Sequence, residues 1–166
     1  MPKEPEDGVD RVLAQWRRER PDLELEAMGI VARLGRVAAL GERKIEEELL
    51  RFGLKLGEFD VLATLRRAGA GAGVTPTELY RSLMLSSGAM THRLDRLEAA
   101  GLVERREDER DRRGYRIALT RKGRDLIDKA VVAHVENEER MLSPLTKAER
   151  ETLNQLLRKL LLSVGS

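Results

Sequence analysis

The spacing of apolar residues predicts amphipathic helices at both ends of the chain. Over residues 26–51 apolar side chains recur mostly at intervals of three, four or seven residues, as one helical face requires. A shorter amphipathic segment carrying Leu13 and Trp16 precedes it, and Pro21 separates the two. At the other end, a helix over about 122–141 and a leucine-rich last helix follow the same periodicity. A symmetric second copy would bury these apolar faces.

Between the long helices the pattern predicts three shorter helices. "LGEFDVLATLRRAG" is the first, and the glycine-rich "AGAGAG" after it is a turn. Thr75 and Glu78 form a capping box at the start of the second helix, and Ser86 caps the third, which ends before Gly101. Two short helices with a tight connection are the arrangement of a helix-turn-helix.

A run of ten charged residues, Glu104 to Arg113, follows the third short helix in "VERREDERDRRGYRIALT". Charge runs are typical of solvated, disordered segments. Here, however, Tyr115, Ile117 and Leu119 alternate as in a half-buried strand. The segment is therefore predicted to be a β-hairpin that carries its charges at the exposed end and is anchored by Val103, Ile117 and Leu119.

This order of elements predicts a mainly α chain with a small β-hairpin wing (α+β). In fold terms it is a winged helix-turn-helix with long terminal dimerisation helices. We divide it into N-terminal dimerisation helices over 1–55, a DNA-binding lobe over 56–121, and C-terminal dimerisation helices over 122–166. Thr120 is a suitable cap for the first of the C-terminal helices, and Thr146 with Glu149 forms a capping box for the second.

Composition narrows the class of protein. The chain has 166 residues, of which 41% are hydrophobic and 36% charged, as in globular proteins. No apolar run approaches the roughly 20 residues of a membrane helix, and no signal peptide is recognisable. We therefore expect a cytoplasmic protein without membrane contact. The chain contains no cysteine, so disulfides and thiol redox sensing are excluded.

Charge is unevenly distributed along the chain. The net charge is only +2, but residues 81–124 carry 12 Lys or Arg against 7 Asp or Glu. Such a basic block is typical of a nucleic-acid-binding surface, although a solvated charged face has the same composition. Neither catalysis nor a cofactor is expected, because phosphate-loop and nucleophile-elbow motifs are missing. A metal site is not expected either, since His92 and His134 are the only histidines and have no ligand spacing.

Several motifs resemble those of the MarR-type transcriptional regulators. "DERDRR" fits their D-x-R-D-x-R wing pattern, "SSGAMTHRLDRLEAAGLVERRED" resembles their recognition helix and first wing strand, and "ALTRKGRDLI" resembles the continuation after the wing. The resemblance extends over about Leu56 to Thr152. It implies a homodimer that binds a pseudo-palindromic operator in double-stranded DNA, is nucleoid-associated when bound, and acts as a repressor because it excludes polymerase.

DNA contacts are expected from the recognition helix and the wing. The N-terminal residues of such a helix read base edges, so Met90 is expected to touch a thymine methyl, and Arg96 farther along to reach a phosphate. Arginines at a wing tip suit phosphates and a narrow minor groove. We expect Arg110 or Arg112 to reach DNA while Asp111 and Arg113 shape the loop. The predicted set is Thr75, Thr77, Ser86, Ser87, Met90, Thr91, His92, Arg96, Arg110, Asp111, Arg112 and Arg113.

A narrower resemblance, to the urate-responsive branch with its extra N-terminal helix, implies a small anionic effector such as urate or a related purine. The four ligand-associated residues of that branch are matched by Trp16, Asp60, Arg93 and Arg105. An aromatic wall and guanidinium forks suit a planar anion. A ligand held by Arg93 and Arg105 would shift the DNA-reading elements to which they belong. Alternatively, Trp16 anchors its own helix and Asp60 is an ordinary ion-pair partner.

Two other functions fit the same sequence. One is a sequence-tolerant architectural DNA-binding protein without a ligand, which would coat DNA uniformly in a footprint. The other is a helical adaptor for proteins whose wing never touches DNA. A steep fall of DNA affinity with salt would argue against the adaptor.

Overall fold

The computed structural model describes residues 5–69, 73–83, 87–108 and 111–165, and only the backbone of 87–89 and 111–113. The prediction that Ser86 caps a helix therefore falls outside the described residues, as does Arg110. The helices are α1 (Gly8–Glu19), α2 (Glu26–Leu50), α3 (Leu56–Arg67), α4 (Pro76–Leu83), α5 (Ser87–Ala99), α6 (Arg121–Met141) and α7 (Lys147–Val164). The strands are β1 (Val103–Asp108) and β2 (Asp111–Leu119). The predicted mainly α fold with a hairpin wing is confirmed.

Local capping explains where several helices begin and end. The Thr75 and Glu78 capping box is present, with the Thr75 N–H donating to Glu78 Oε2 at 2.7 Å. Thr120 accepts a hydrogen bond from the Gly123 N–H at 3.0 Å, and Thr146 with Glu149 forms the predicted box of α7. Gly53, after α2, and Gly101, after α5, have φ near +69° and +68°, a region that favours glycine.

The chain divides into two compact units, Met1–Lys44 and Ile45–Ser166. In the first, Val9 and Leu13 of α1 form a small cluster with Leu25, which precedes α2, and Ala32 of α2 packs against it. Arg33 on α2 donates to the carboxylate of Asp7, the N-cap of α1, at 2.9 Å. This guanidinium lowers the pKa of Asp7. The unit therefore combines a small apolar contact with a charged link on its surface.

The second unit contains the main hydrophobic core. Helices α3, α5 and α6 and both strands each contribute buried side chains to it. The three predicted wing anchors, Val103, Ile117 and Leu119, are all buried. The largest fully buried side chains are Leu49, Leu54, Leu62, Leu79, Met90, Leu94, Ile117, Ile127 and Val61. The DNA-reading elements of a winged helix are thus held by one shared core.

The wing is an antiparallel hairpin with an additional link at its base. Its register runs from the Val103 and Leu119 pair outwards and becomes irregular between Glu107 and Asp108. Val74, just before α4, pairs with Ile117 through reciprocal N–H to carbonyl hydrogen bonds of 2.9 and 2.8 Å. The start of the helix-turn-helix is therefore joined to the wing by backbone hydrogen bonds.

Helix α7 leaves its apolar residues exposed within the described chain. Leu153, Leu156, Leu157, Leu160 and Leu161 range from 37% to 74% exposed. On α6, Val135 is also exposed, whereas Ile127 is fully buried. None of the helices in the described part is long and apolar enough to cross a membrane.

Candidate nucleic-acid interface

The N-terminus of α4 is fixed by its own side chains. The Thr75 hydroxyl donates to Glu78 Oε2 at 2.9 Å and accepts from the Glu78 N–H at 3.2 Å. The hydrogen bonds that the Thr75 backbone N–H and the Thr75 hydroxyl donate to Glu78 lower the pKa of its carboxyl. The Thr75 hydroxyl therefore orients the helix, and Thr77 in the first turn is exposed.

Helix α5, the predicted recognition helix, has a buried face and an exposed face. Thr91 and His92 are exposed, and their contact with DNA stays a prediction. Ser87 is the first helical residue, and its side chain is among those not described. The opposite face packs into the core through Leu94 and Leu97, each 2% exposed. The exposed residues therefore lie on an element whose position is set by burial.

The predicted base contact of Met90 is wrong for this structure. Its side chain is 0% exposed and belongs to the core cluster. Met90 lies four and seven residues before Leu94 and Leu97, so it shares their helical face. Met90 therefore packs in the hydrophobic core and is not exposed for contact with a thymine methyl.

Arg96 connects α5 to the start of α3. Its guanidinium lies 2.8 Å from the Glu58 carboxylate, whose side chain is only 6% exposed. Glu58 also accepts a hydrogen bond from the Lys55 N–H at 2.9 Å, which caps α3. Because this contact links α5 to α3, it fixes the orientation of α5. A phosphate at Arg96 would have to share the guanidinium with Glu58.

Arg105 connects β1 to α5. It contacts the carboxylates of Asp95 at 2.5 Å and Glu98 at 3.4 Å. Its guanidinium carbon lies 5.3 Å from the centre of the Tyr115 ring, within the range of a cation–π contact. The hydrogen bond to Asp95 raises the pKa of Arg105. The first wing strand is thereby tied to the predicted recognition helix.

Asp60 and Arg93 lie in one electrostatic neighbourhood. The guanidinium of Arg93 packs against Gly57 of α3, where a Cβ would overlap it. Burial raises the pKa of the half-buried Asp60 carboxyl, and the charges of Arg93, His134 and Arg67 oppose this shift. A half-buried carboxylate and a guanidinium charge therefore act on each other between α3 and α5.

The four ligand-associated residues are distributed over the two compact units. Trp16 lies on α1 in Met1–Lys44 and is 41% exposed, whereas Asp60, Arg93 and Arg105 belong to Ile45–Ser166. Within the second unit Asp60 and Arg93 come together. The described contacts of Arg105 are instead with Asp95, Glu98 and Tyr115.

At the wing, the backbone of β2 includes Asp111, Arg112 and Arg113. Their predicted roles, and that of Arg110, stay predictions. In the described part of the chain, no group of three or more His, Cys, Asp or Glu side chains is placed to hold a metal ion.

Sequence reasoning missed the acidic partners of the arginines. Glu58 was recognisable as an acid in the first turn of its helix, but nothing local indicated Arg96 as its partner. Arg116 was likewise not singled out, although it contacts Asp108 at 3.1 Å and Glu78 at 3.7 Å. Arg96 and Glu58, like Arg116 and Glu78, are far apart in sequence, and none of these pairs has a fixed spacing that would predict it.

A helix-turn-helix with an attached hairpin wing defines a winged-helix protein of the DNA-binding class. A profile described as MarR family matches residues 52–114. The chain is 43% identical over 149 residues to the HTH-type transcriptional regulator PecS of Dickeya dadantii (strain 3937), covering 90% of each protein. It is 33% identical over 121 residues to the multiple antibiotic resistance protein MarR of Escherichia coli (strain K12), covering 72% of this chain and 82% of that protein.

Solved structures agree with the sequence comparisons. A mutant MarR of E. coli complexed with operator DNA matches with a TM-score of 0.69 and 29% identity, over 88% of this chain and 97% of that one. The chain belongs to the MarR family of winged helix-turn-helix transcriptional regulators, as the wing motif and the order of elements predicted.

Replacing Met90 by alanine should lower the free energy of unfolding by about 2–5 kcal/mol, because it leaves a cavity in the core. Met90→Leu is the matched control. It nearly conserves volume and should keep both stability and DNA affinity. Chemical denaturation and fluorescence anisotropy with labelled DNA measure the two quantities. Weakened DNA binding by a fully stable Met90→Leu would instead support a direct base contact.

Proposed function

We propose that the protein is a ligand-responsive transcriptional repressor that binds a pseudo-palindromic operator as a homodimer and is released by a small anion such as urate. The observation that carries the proposal is that α5 presents Thr91 and His92 outwards while its other face is fixed in the core beneath the wing. Such a helix suits the major groove, and the adjoining hairpin suits the flanking groove. The protein would act in the cytoplasm, on the nucleoid.

The homodimer is supported by the exposed apolar residues of the terminal helices. In the second unit they include Leu156, Leu160 and Leu161 of α7, and in the first Val31 and Val37 of α2, which are 67% and 69% exposed. A twofold-symmetric partner would cover such faces with the same faces of the second chain. Two recognition helices would then enter successive major grooves roughly 34 Å apart.

The effector site is proposed from Trp16, Asp60, Arg93 and Arg105. Within the second unit, a planar anion would accept hydrogen bonds from the guanidinium groups and donate an N–H to Asp60. Arg93 lies on α5, and Arg105 contacts α5 through Asp95. A ligand that draws on either arginine therefore acts directly on the helix proposed to read DNA, which supplies the coupling that release requires.

Removing the wing arginines should weaken operator binding. We expect Arg112→Ala or Arg110→Ala to reduce affinity by roughly tenfold or more, since a lost groove or phosphate contact costs about 1–3 kcal/mol. The matched control is Arg66→Ala, because Arg66 pairs with Asp128 between α3 and α6, outside the proposed interface. Anisotropy with the DNA upstream of the protein's own gene, at fixed salt, measures all three. Wild-type affinity in both wing variants would overturn the wing assignment.

Urate should change the intrinsic fluorescence and release DNA over the same concentration range. Trp16 is the only tryptophan in the chain, so the emission reports on its surroundings alone. Arg93→Ala should shift both titrations to higher urate concentration, because it removes a cationic partner of the anion, whereas Arg66→Ala should shift neither. The ligand proposal fails if urate leaves both the emission and the DNA complex unchanged. Other small anions titrated in parallel show whether a different effector gives the response.

A further inference from the structure

Arg116 on β2 contacts three separate segments of the second unit. Its Nη1 lies 3.1 Å from Asp108 at the end of β1, and its Nη2 lies 3.7 Å from Glu78 in the first turn of α4. Its Nε donates to the Gly73 carbonyl at 3.2 Å, just before α4. We propose that Arg116 is a positioning residue that sets the angle of the wing relative to the helix-turn-helix. The proposal rests on the wing contacting DNA.

Asp108 is the first residue of "DERDRR", yet its carboxylate faces the protein. The residue is 8% exposed, and its side chain accepts from Arg116 at 3.1 Å. It lies at the point where the hairpin register becomes irregular, which is where the outer part of the wing departs from regular pairing. A contact at this position ties the end of β1 to β2 where the regular pairing stops.

Glu78 gives Arg116 a second point of attachment, on α4. The same carboxylate closes the capping box with Thr75 at 2.7 Å, so it is already held in place by the backbone. Arg116 therefore bridges a carboxylate fixed to α4 and a carboxylate fixed to β1. Replacing Arg116 would remove a contact to the wing and a contact to the start of α4 at the same time.

The backbone around Arg116 is also tightly packed. Gly73 has φ +79°, and a Cβ there would lie 2.6 Å from the Ile117 carbonyl oxygen. The N–H of Val74 donates to the Ile117 carbonyl, and the N–H of Ile117 donates to the Val74 carbonyl. The backbone thus joins β2 to the segment before α4 at this one pair of residues. The planar guanidinium, with its donors in a fixed fork, supplies the remaining constraint, and a lysine ammonium cannot reproduce it.

The experiment compares Arg116→Gln, Arg116→Lys and Arg112→Ala, alone and combined, in anisotropy titrations of the upstream DNA at fixed salt. We expect Arg116→Gln to lose roughly tenfold or more in affinity, as Arg112→Ala does, because the wing contact is misplaced. Combining Arg116→Gln with Arg112→Ala should add little further loss, since coupled residues are not additive. Arg116→Lys should stay impaired, whereas a simple phosphate contact would be largely restored by lysine. Arg66→Gln is the control and should bind within about twofold of the wild type, as surface substitutions usually do.

Each outcome decides the proposal. Wild-type affinity in Arg116→Gln, rescue by Arg116→Lys, or full additivity with Arg112→Ala would overturn it. Loss with Arg112→Ala but not with Arg116→Gln would overturn only this proposal and leave the wing contact intact. If Arg112→Ala has no effect, Arg110→Ala takes its place in the comparison. No effect of either variant would overturn the wing contact, and the positioning role with it. If Arg116→Gln does not fold, Glu78→Gln replaces it, because glutamine keeps the capping hydrogen bond but removes the charge. It should show a smaller loss, again not additive with Arg112→Ala.

Discussion

The arrangement of the DNA-reading elements depends on one shared hydrophobic core. Met90 and Leu94 bury one face of α5, and Ile117 and Leu119 of β2 belong to the same cluster. Because one face of each element is buried in the core, only the residues on its opposite face are exposed. The core therefore determines which side chains are available to a ligand or to DNA. This is why Thr91 and His92 are exposed while their neighbour Met90 is not.

Arginine–carboxylate pairs set the finer geometry on top of this core. Arg96 reaches Glu58, Arg105 reaches Asp95, and Arg116 reaches Asp108, so each pair joins two elements. Where both partners are exposed, as in Arg105 and Asp95, such a pair contributes only about 0–1 kcal/mol to stability. Their main consequence is orientation, which also explains why a chain with a basic block carries so many acids. In "VERREDERDRRGYRIALT" several charges serve the hairpin and its neighbours rather than DNA.

Features determined by neighbouring residues were predictable from the sequence, and features determined by distant ones were not. The capping boxes at Thr75 and Thr146 depend on residues three apart, and the wing anchors depend on simple alternation. Both predictions were confirmed. The position of Met90 near the start of α5 predicted a base contact. Its spacing from Leu94 and Leu97, however, places it on the buried face of the helix. Glu58 lies tens of residues from Arg96 and Glu78 tens of residues from Arg116, and only the folded chain brings them together. Trp16, in the other compact unit, stays a prediction as a ligand contact.

The central claim is that a symmetric pair of these chains reads one specific site with both α5 and the wing. A hydroxyl-radical footprint of the wild-type protein on the DNA upstream of its gene tests this most directly. The account predicts protection with twofold symmetry, with recognition-helix contacts centred roughly one helical turn apart and additional protection at the flanking minor grooves. Uniform protection that spreads along the fragment with protein concentration would contradict it, and would indicate sequence-tolerant coating of DNA instead.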